Sequence, residues 1–282
     1  MAISAKMVME LRQKTQVSMM ECKKALVSAD GDMVLAEENL LKSGAAKADK
    51  KSDRVANEGL LFSVSDAENM GSSIVEINCE TDFVARGDDF KGFGEKLAEL
   101  ALSHKVTTAD SLLSLQYDSE NSVEDMRKIM IAKLGENIQV RRAYAVHADS
   151  GCVASYSHSG RIIVIVKLSD ANIDVAKDVA MHAAAMKPTA ISSDGIPSDD
   201  VAKQREIFAA QVAESGKPEK IASKIIEGKI NKFLDENSLL GQVFVKDSKQ
   251  KVSQYLDQHK SKVLSYVLYE IGMSGPDGEI TQ

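Results

Sequence analysis

The chain carries no tryptophan, only four prolines and three cysteines, and no surplus of basic residues in its 282 positions. Each shortage excludes something. Cys22, Cys79 and Cys152 are odd in number, far apart and form no Cys-x-x-Cys pair. Neither a disulfide framework nor a zinc site is indicated, and a reducing cytoplasm fits. Aromatic residues make up 5% of the chain, too few for the stacking platforms that hold single strands. The 35 basic residues face 42 acidic ones for a net charge of −7, which argues against a general nucleic-acid binder. No direct nucleic-acid contact is expected. No apolar run approaches the ~20 residues of a membrane span. The opening Met1-Ala2-Ile3-Ser4-Ala5-Lys6 lacks both a signal-peptide core and the Arg-rich character of a transit peptide.

Catalytic signatures are equally scarce. The histidines at 104, 147, 158, 182 and 259 have no i,i+4 partner for a metal and no H-E-x-x-H pattern. Neither phosphate-loop consensus, G-x-x-x-x-G-K-[ST] or G-x-G-x-x-G, occurs. No catalytic residue, cofactor or metal is assigned, and the chain is not read as an enzyme. An α+β enzyme centred on Cys79 and His158 is an alternative, but a strand-end cysteine is usually an inert thiol. His182, on the apolar face of residues 179–186, reads as a core or interface histidine.

What is present is an ordinary globular composition, 44% hydrophobic and 27% charged, long enough for one large or two to three small domains. Residues 1–44 read as a three-helix module. Ser4 caps the first helix, and Ser18-Met19-Met20-Glu21 forms a capping box at the second. Asp32 caps the third, which carries Leu35, Ala36, Leu40 and Leu41, with Gly44 as its left-handed stop. Two adjacent methionines, Met19 and Met20, cannot both face so small a core, so at least one is expected outside, where adaptable side chains suit a partner. Residues 45–59, rich in Ala, Lys and Asp, read as a solvated linker that is helical at its start.

From Leu60 the period becomes that of strands. Residues 60–139 form a first core subdomain: a hairpin of 60–64 and 73–78, a helix over 89–102, and an amphipathic helix over 123–134. Residues 140–196 begin a second, with strands at 140–146, 153–157 and 162–168 and a helix over 174–186. Aligning 74–79 with 162–167 aligns the following helices, so the core reads as two copies of one α+β unit with antiparallel sheets. Residues 197–234 form a helical hairpin with one apolar seam, Val201, Phe208 and Val212 against Ala222, Ile226, Ile230 and Phe233. It turns at Ser215-Gly216-Lys217-Pro218 and reads as a protruding antiparallel coiled coil. Residues 235–271 complete the second subdomain, and 272–282 form a loose tail.

The chain is organised around Glu76-Ile77-Asn78-Cys79-Glu80-Thr81-Asp82-Phe83-Val84-Ala85-Arg86. A β-branched strand ends here, and a helix begins near Asp88 or Asp89. Thr81 and Asp82 supply cap chemistry, and Phe83 is a large apolar side chain in a turn. Phe83 either folds back into the local core, as most phenylalanines do, or is held out at a rigid corner.

This stretch resembles one of the two signature segments of the elongation factor Ts family. Leu11-Arg12-Gln13-Lys14-Thr15, running on to Met19-Met20-Glu21-Cys22-Lys23-Lys24-Ala25-Leu26, resembles the other. The join Lys133-Leu134-Gly135-Glu136-Asn137-Ile138-Gln139-Val140-Arg141-Arg142 is also similar. The chain departs from the family in Gln16-Val17-Ser18, which replaces a Gly-rich turn, in Val243 for a usual Pro, and in Leu268 for a common basic residue. The resemblance implies a ubiquitin-associated-like N-terminal module and a guanine-nucleotide exchange factor in translation, with the GTPase elongation factor Tu as partner. It further implies that the corner formed by Thr81, Asp82, Phe83 and Val84 dislocates Mg²⁺ from that GTPase, and that Arg12, Met19, Met20 and His158 make further contacts. A homodimer or 2:2 complex through the hairpin or core is also implied. The alternative is a non-catalytic scaffold or chaperone-like protein, which uses the three-helix module and the coiled coil and does not need Phe83.

Overall fold

The structure, a computed structural model, describes residues 3–15, 17–51, 53–213, 218–273 and 280–281. The chain forms two compact units, 1–62 with 75–144, and 63–74 with 145–282. The architecture is α+β, with antiparallel sheets and N-terminal helices.

The first unit opens with α1 (Ala5–Thr15), α2 (Met19–Ser28) and α3 (Met33–Lys51). Their starts are capped as the sequence predicts. Ser4 Oγ accepts from the Met7 amide at 3.2 Å, and Ser18 Oγ from the Glu21 amide at 3.3 Å. Asp32 Oδ1 accepts from the amides of Val34 and Leu35. Each cap satisfies an amide that the first helical turn leaves orphaned. Val8, Leu11, Val17, Cys22, Ala25, Leu26 and Ala36 form the small core. Leu35, expected inside, is exposed. Gly44 does not stop α3, which runs on through the first half of the expected linker to Lys51. The helix packs along α7 (Val123–Leu134). That packing outweighs the ~1 kcal/mol by which glycine disfavours a helix interior. The turn residue Gln16 lies outside the described residues.

A three-stranded sheet follows, in the order β1 (Glu58–Ser65), β2 (Gly71–Cys79), β3 (Ile138–His147). The central strand β2 is buried along its whole length. Its one acidic side chain, Glu76, takes Arg142 Nε at 2.6 Å and Arg141 Nη1 at 3.1 Å. Those arginines lie on β3, which overturns the expectation that 140–146 opens the second copy. A buried carboxylate needs its cations on the adjacent strand. Between β2 and β3 come α4 (Asp82–Arg86), α5 (Asp88–Ser103), α6 (Ala109–Leu113) and α7. Helix α5 buries Phe90, Phe93, Leu97, Ala98 and Ala101 at helical spacing. It lies so close to β1 that a Cβ on Gly94 would run into the Phe62 ring.

The second unit contains an antiparallel sheet in the order β4 (Cys152–His158), β5 (Ile162–Leu168), β6 (Val263–Glu270), β7 (Ile280–Thr281). Helix α8 (Ile173–Met186) packs on β4 and β5. Its apolar face, with Val175, Val179 and Ala183, meets Val164, Val166 and Tyr266. The parallel with the first sheet is direct: a hairpin, a helix, then a third strand beside the second. Helices α9 (Ser198–Ala213) and α10 (Glu219–Asn237) pair as the expected hairpin, with Val212 and Ile230 buried in the seam. Lys229 Nζ lies 5.0 Å from the Phe208 ring centre and donates to Gln211. The turn residues 215–217 lie outside the described residues. Helix α11 (Val252–Gln258) leads into β6. The tail is not wholly loose, because Ile280 and Thr281 pair with Tyr266 and Ser265.

Candidate functional site

The corner after β2 is a separate small helix, not a plain turn. Strand β2 stops at Cys79, and Thr81 turns extended and caps α4, its Oγ accepting from the Val84 amide at 3.5 Å. Gly87, extended at φ −68° and ψ 145°, then separates α4 from α5. Ala85 is the buried residue of α4. Thr81, Asp82 and Val84 are half-buried, whereas the Phe83 ring is 83% exposed. Of the two sequence readings for Phe83, the core one is excluded. A phenyl group left in water at a capped corner is unusual, since large aromatics bury wherever their own fold lets them.

The corner is held from below by a residue that sequence reasoning did not single out. Glu136, just past α7, accepts from the amides of Glu80 and Thr81 through Oε2 at 3.1 and 3.0 Å. Its Oε1 takes the Thr81 hydroxyl at 2.7 Å. Glu80 answers in kind, its Oε1 accepting the Asn137 amide at 2.7 Å and meeting Arg54 Nη1 at 3.4 Å. Lys51 Nζ donates to the Gly135 carbonyl at 2.6 Å, and the Asn137 side chain donates to the Arg54 carbonyl at 2.8 Å. The sequence ends a helix at residue 134, but nothing in it places Glu136 against a corner more than fifty positions earlier in the chain.

Asp82 forms an i,i+4 ion pair with Arg86 at 2.8 Å, with Arg86 largely in water and Asp82 about half exposed. Such a pair contributes at most ~1 kcal/mol and exchanges readily for other partners. Cys79 donates its thiol to the Thr81 carbonyl at 3.1 Å. Burial, and then the nearby charge of Glu136, push that thiol up to about 12. A thiol raised in this way is protonated at neutral pH, which weighs against Cys79 as the nucleophile of the alternative enzyme reading.

The remaining candidates are dispersed. Arg12, Met19 and Met20 are all exposed on α1 and α2, so both methionines stand outside. His158 belongs to the second unit, at the end of β4. It is exposed, and its carbonyl accepts from the Arg161 amide across a turn in which Ser159 and Gly160 both have positive φ. The ring borders an open groove of about 420 Å³ with Tyr156, Ile162, Met181, Val245 and Lys246. His182 is the core histidine expected: fully buried, its Nε2 on Gln242 Oε1 at 3.0 Å and its Nδ1 accepting the Val245 amide. Burial lowers its pKa. Among the described residues, no group of three or more acidic, histidine or cysteine side chains could hold a metal ion. Among them also, no helix is long and apolar enough to cross a membrane.

The family model of elongation factor Ts matches residues 80–273 of this chain. The elongation factor Ts of Methylococcus capsulatus is 46% identical over 272 residues, covering 96% of this chain and 93% of that protein. The elongation factor Ts of Legionella pneumophila strain Paris is 45% identical over 270 residues, and that of Francisella tularensis subsp. novicida 47% over 270. Each of these two alignments covers 96% of this chain and 92% of the relative.

Proposed function

The chain belongs to the elongation factor Ts family, and on that premise we propose that it binds GDP-bound elongation factor Tu and promotes GDP release. The observation that carries this reading is the exposed Phe83 ring on a corner whose backbone is bonded at several points. Rigid presentation of an anchor aromatic lowers the entropy lost on docking.

A GTPase holds its nucleotide through backbone amides around the phosphates and through a Mg²⁺ ion that demands near-octahedral geometry. Displacing one element of such a pocket by an ångström loosens both. In this reading the corner of Thr81, Asp82, Phe83 and Val84 enters between helices of the GTPase. Phe83 seats in an apolar slot and removes about 150–250 Å² from water. Asp82, released from Arg86, meets polar groups near the helix that supports the ion, and Mg²⁺ is dislocated. Arg12, Met19 and Met20 make a second contact and His158 a third. No bond of the nucleotide is broken. Linkage makes the effect reciprocal: a factor that weakens nucleotide binding is itself weakened by nucleotide, so GTP binding releases it.

The test is release of a fluorescent GDP analogue from purified elongation factor Tu, with and without the full chain and its Phe83→Ala variant. Strong acceleration by the wild type, mostly lost in the variant, is the expected result. Acceleration that survives Phe83→Ala moves the working contact to His158 or to the surface of Met19 and Met20. No acceleration by the wild type sinks the exchange reading and leaves the scaffold.

A further inference from the structure

We propose that Glu136 is the positioning residue of the exchange corner, fixing the direction in which Phe83 is presented. This inference rests on the exchange reading given above.

Helix α4 is weak on its own. A five-residue helix has scarcely one turn of internal hydrogen bonds and cannot hold its own shape in water. Its single side-chain cap, Thr81 Oγ to the Val84 amide, is long at 3.5 Å. Something else must fix the direction of the Phe83 Cα–Cβ bond. On one side Gly87 breaks the connection to α5. On the other, the peptide groups of Glu80 and Thr81 are pinned by the Glu136 carboxylate.

The third bond matters most. The Thr81 hydroxyl has one proton and two lone pairs. By taking that proton at 2.7 Å, Glu136 leaves the lone pairs free for the Val84 amide. The carboxylate therefore acts through Thr81 on the cap of α4, and through the cap on Phe83. It accepts three hydrogen bonds from donors on two successive residues, a geometry that no single backbone carbonyl supplies. Charge-assisted bonds of this kind are shorter and roughly twice as strong as neutral ones. Glu136 does not need to touch the GTPase for any of this.

The experiment measures release of the GDP analogue from elongation factor Tu at rising concentrations of full-length variants, which separates the saturating rate from the half-saturating concentration. Glu136→Ala removes both acceptor oxygens and with them all three hydrogen bonds. The saturating rate is expected to fall about 10- to 30-fold, no further than for Phe83→Ala and within the scale of an ångström misplacement. The half-saturating concentration stays within about threefold, because the other docking surfaces are intact. Combined with Phe83→Ala, Glu136→Ala adds nothing further, since residues acting through one another are not additive. Leu97→Ala, which opens a cavity in the α5 core of the same unit, leaves the saturating rate of folded protein unchanged and so separates positioning from stability.

A saturating rate within about twofold of wild type for Glu136→Ala, or a double variant slowed by the product of both factors, overturns the proposal. Should Glu136→Ala fail to fold, Glu136→Gln decides with the same two readouts. Its amide cannot accept at both ends and is expected to give an intermediate, non-additive loss. A slow Phe83→Ala beside a normal Glu136→Ala sinks this inference alone. A normal Phe83→Ala removes the exchange corner and this inference with it.

Discussion

After β2 the chain takes residues 80 to 87 to reach its long helix, whereas after β5 it takes only 169 to 172. The two corners occupy the same slot in the two copies and are bonded in opposite senses. In the second copy the corner is bonded inward at three residues. Asn172 caps α8 through the Val175 amide, and Asp170 Oδ1 accepts from the Asn172 amide and the Ser261 hydroxyl. Ser169 donates to the Lys262 carbonyl. In the first copy the same inward bonds fall to the strand-end residues Glu80 and Thr81, and the extra turn of α4 is left to hold an aromatic out in water. A packing corner becomes a presenting one when a short capped helix is inserted and its base is anchored separately.

Four measurements test how differently the two corners are built. The largest effect is expected at Glu76, whose loss strands Arg142 as a buried, less compensated cation. Glu76→Ala should weaken the first unit by about 3–5 kcal/mol. Hydrogen–deuterium exchange should then rise steeply in β2 and α5 and stay unchanged in β5 and α8. Next, Phe83→Ala should slow stimulated GDP release about 30-fold, the kinetic equivalent of ~2 kcal/mol for an anchor aromatic. The ring is solvent-exposed, so the thermal midpoint should stay within about 1 °C.

A smaller effect separates the units by pH. His182 in its unfolded form protonates near pH 6.5, and burial lowers that value in the native state. The native unit then binds fewer protons than the unfolded one. Its full stability is present above pH 6.5 and declines below it, by up to ~1.4 kcal/mol per pH unit until native His182 itself takes a proton. Exchange in α8 should quicken between pH 7 and pH 5, and His182→Gln should flatten that slope. The slope belongs to the second unit, which holds His182. The smallest effect is expected at Ala171, on the outside of the second corner. Ala171→Phe adds an exposed ring with no short helix beneath it, and should leave both stability and the exchange rate of Phe83→Ala unaltered.

Local chemistry was the legible part of this fold. Ser4, Ser18 and Asp32 announce helix starts because their partners lie within three residues. The seam of Val201, Phe208 and Val212 announces a paired helix by period alone. The corner itself was legible as a strand end followed by cap residues. Three things were not, for one physical reason: they depend on partners distant in sequence. Gly44 reads as a stop until α7 is packed along α3. The strand 138–147 carries no mark that it follows β2 until the buried Glu76 claims Arg142. Glu136 looks like a polar residue after a helix stop, and nothing local ties it to Glu80 and Thr81. Exposure of Phe83 was an open alternative in the sequence, decided only when the surrounding surface was assembled.

Helix α3 has a consequence of its own. It passes without a break from the N-terminal module to Lys51, whose ammonium rests on the Gly135 carbonyl next to Glu136. At 1.5 Å per residue its 19 residues make a strut of about 28 Å. A strut has a rotational phase as well as a length. One residue inserted into it would move the module by only ~1.5 Å but turn it by about 100°. Arg12, Met19 and Met20 would then face a different direction while every contact inside the module survived. On the exchange reading proposed above, two docking surfaces joined in this way would meet a partner in one geometry or not at all, and a modest second contact would become a large gain in effective concentration.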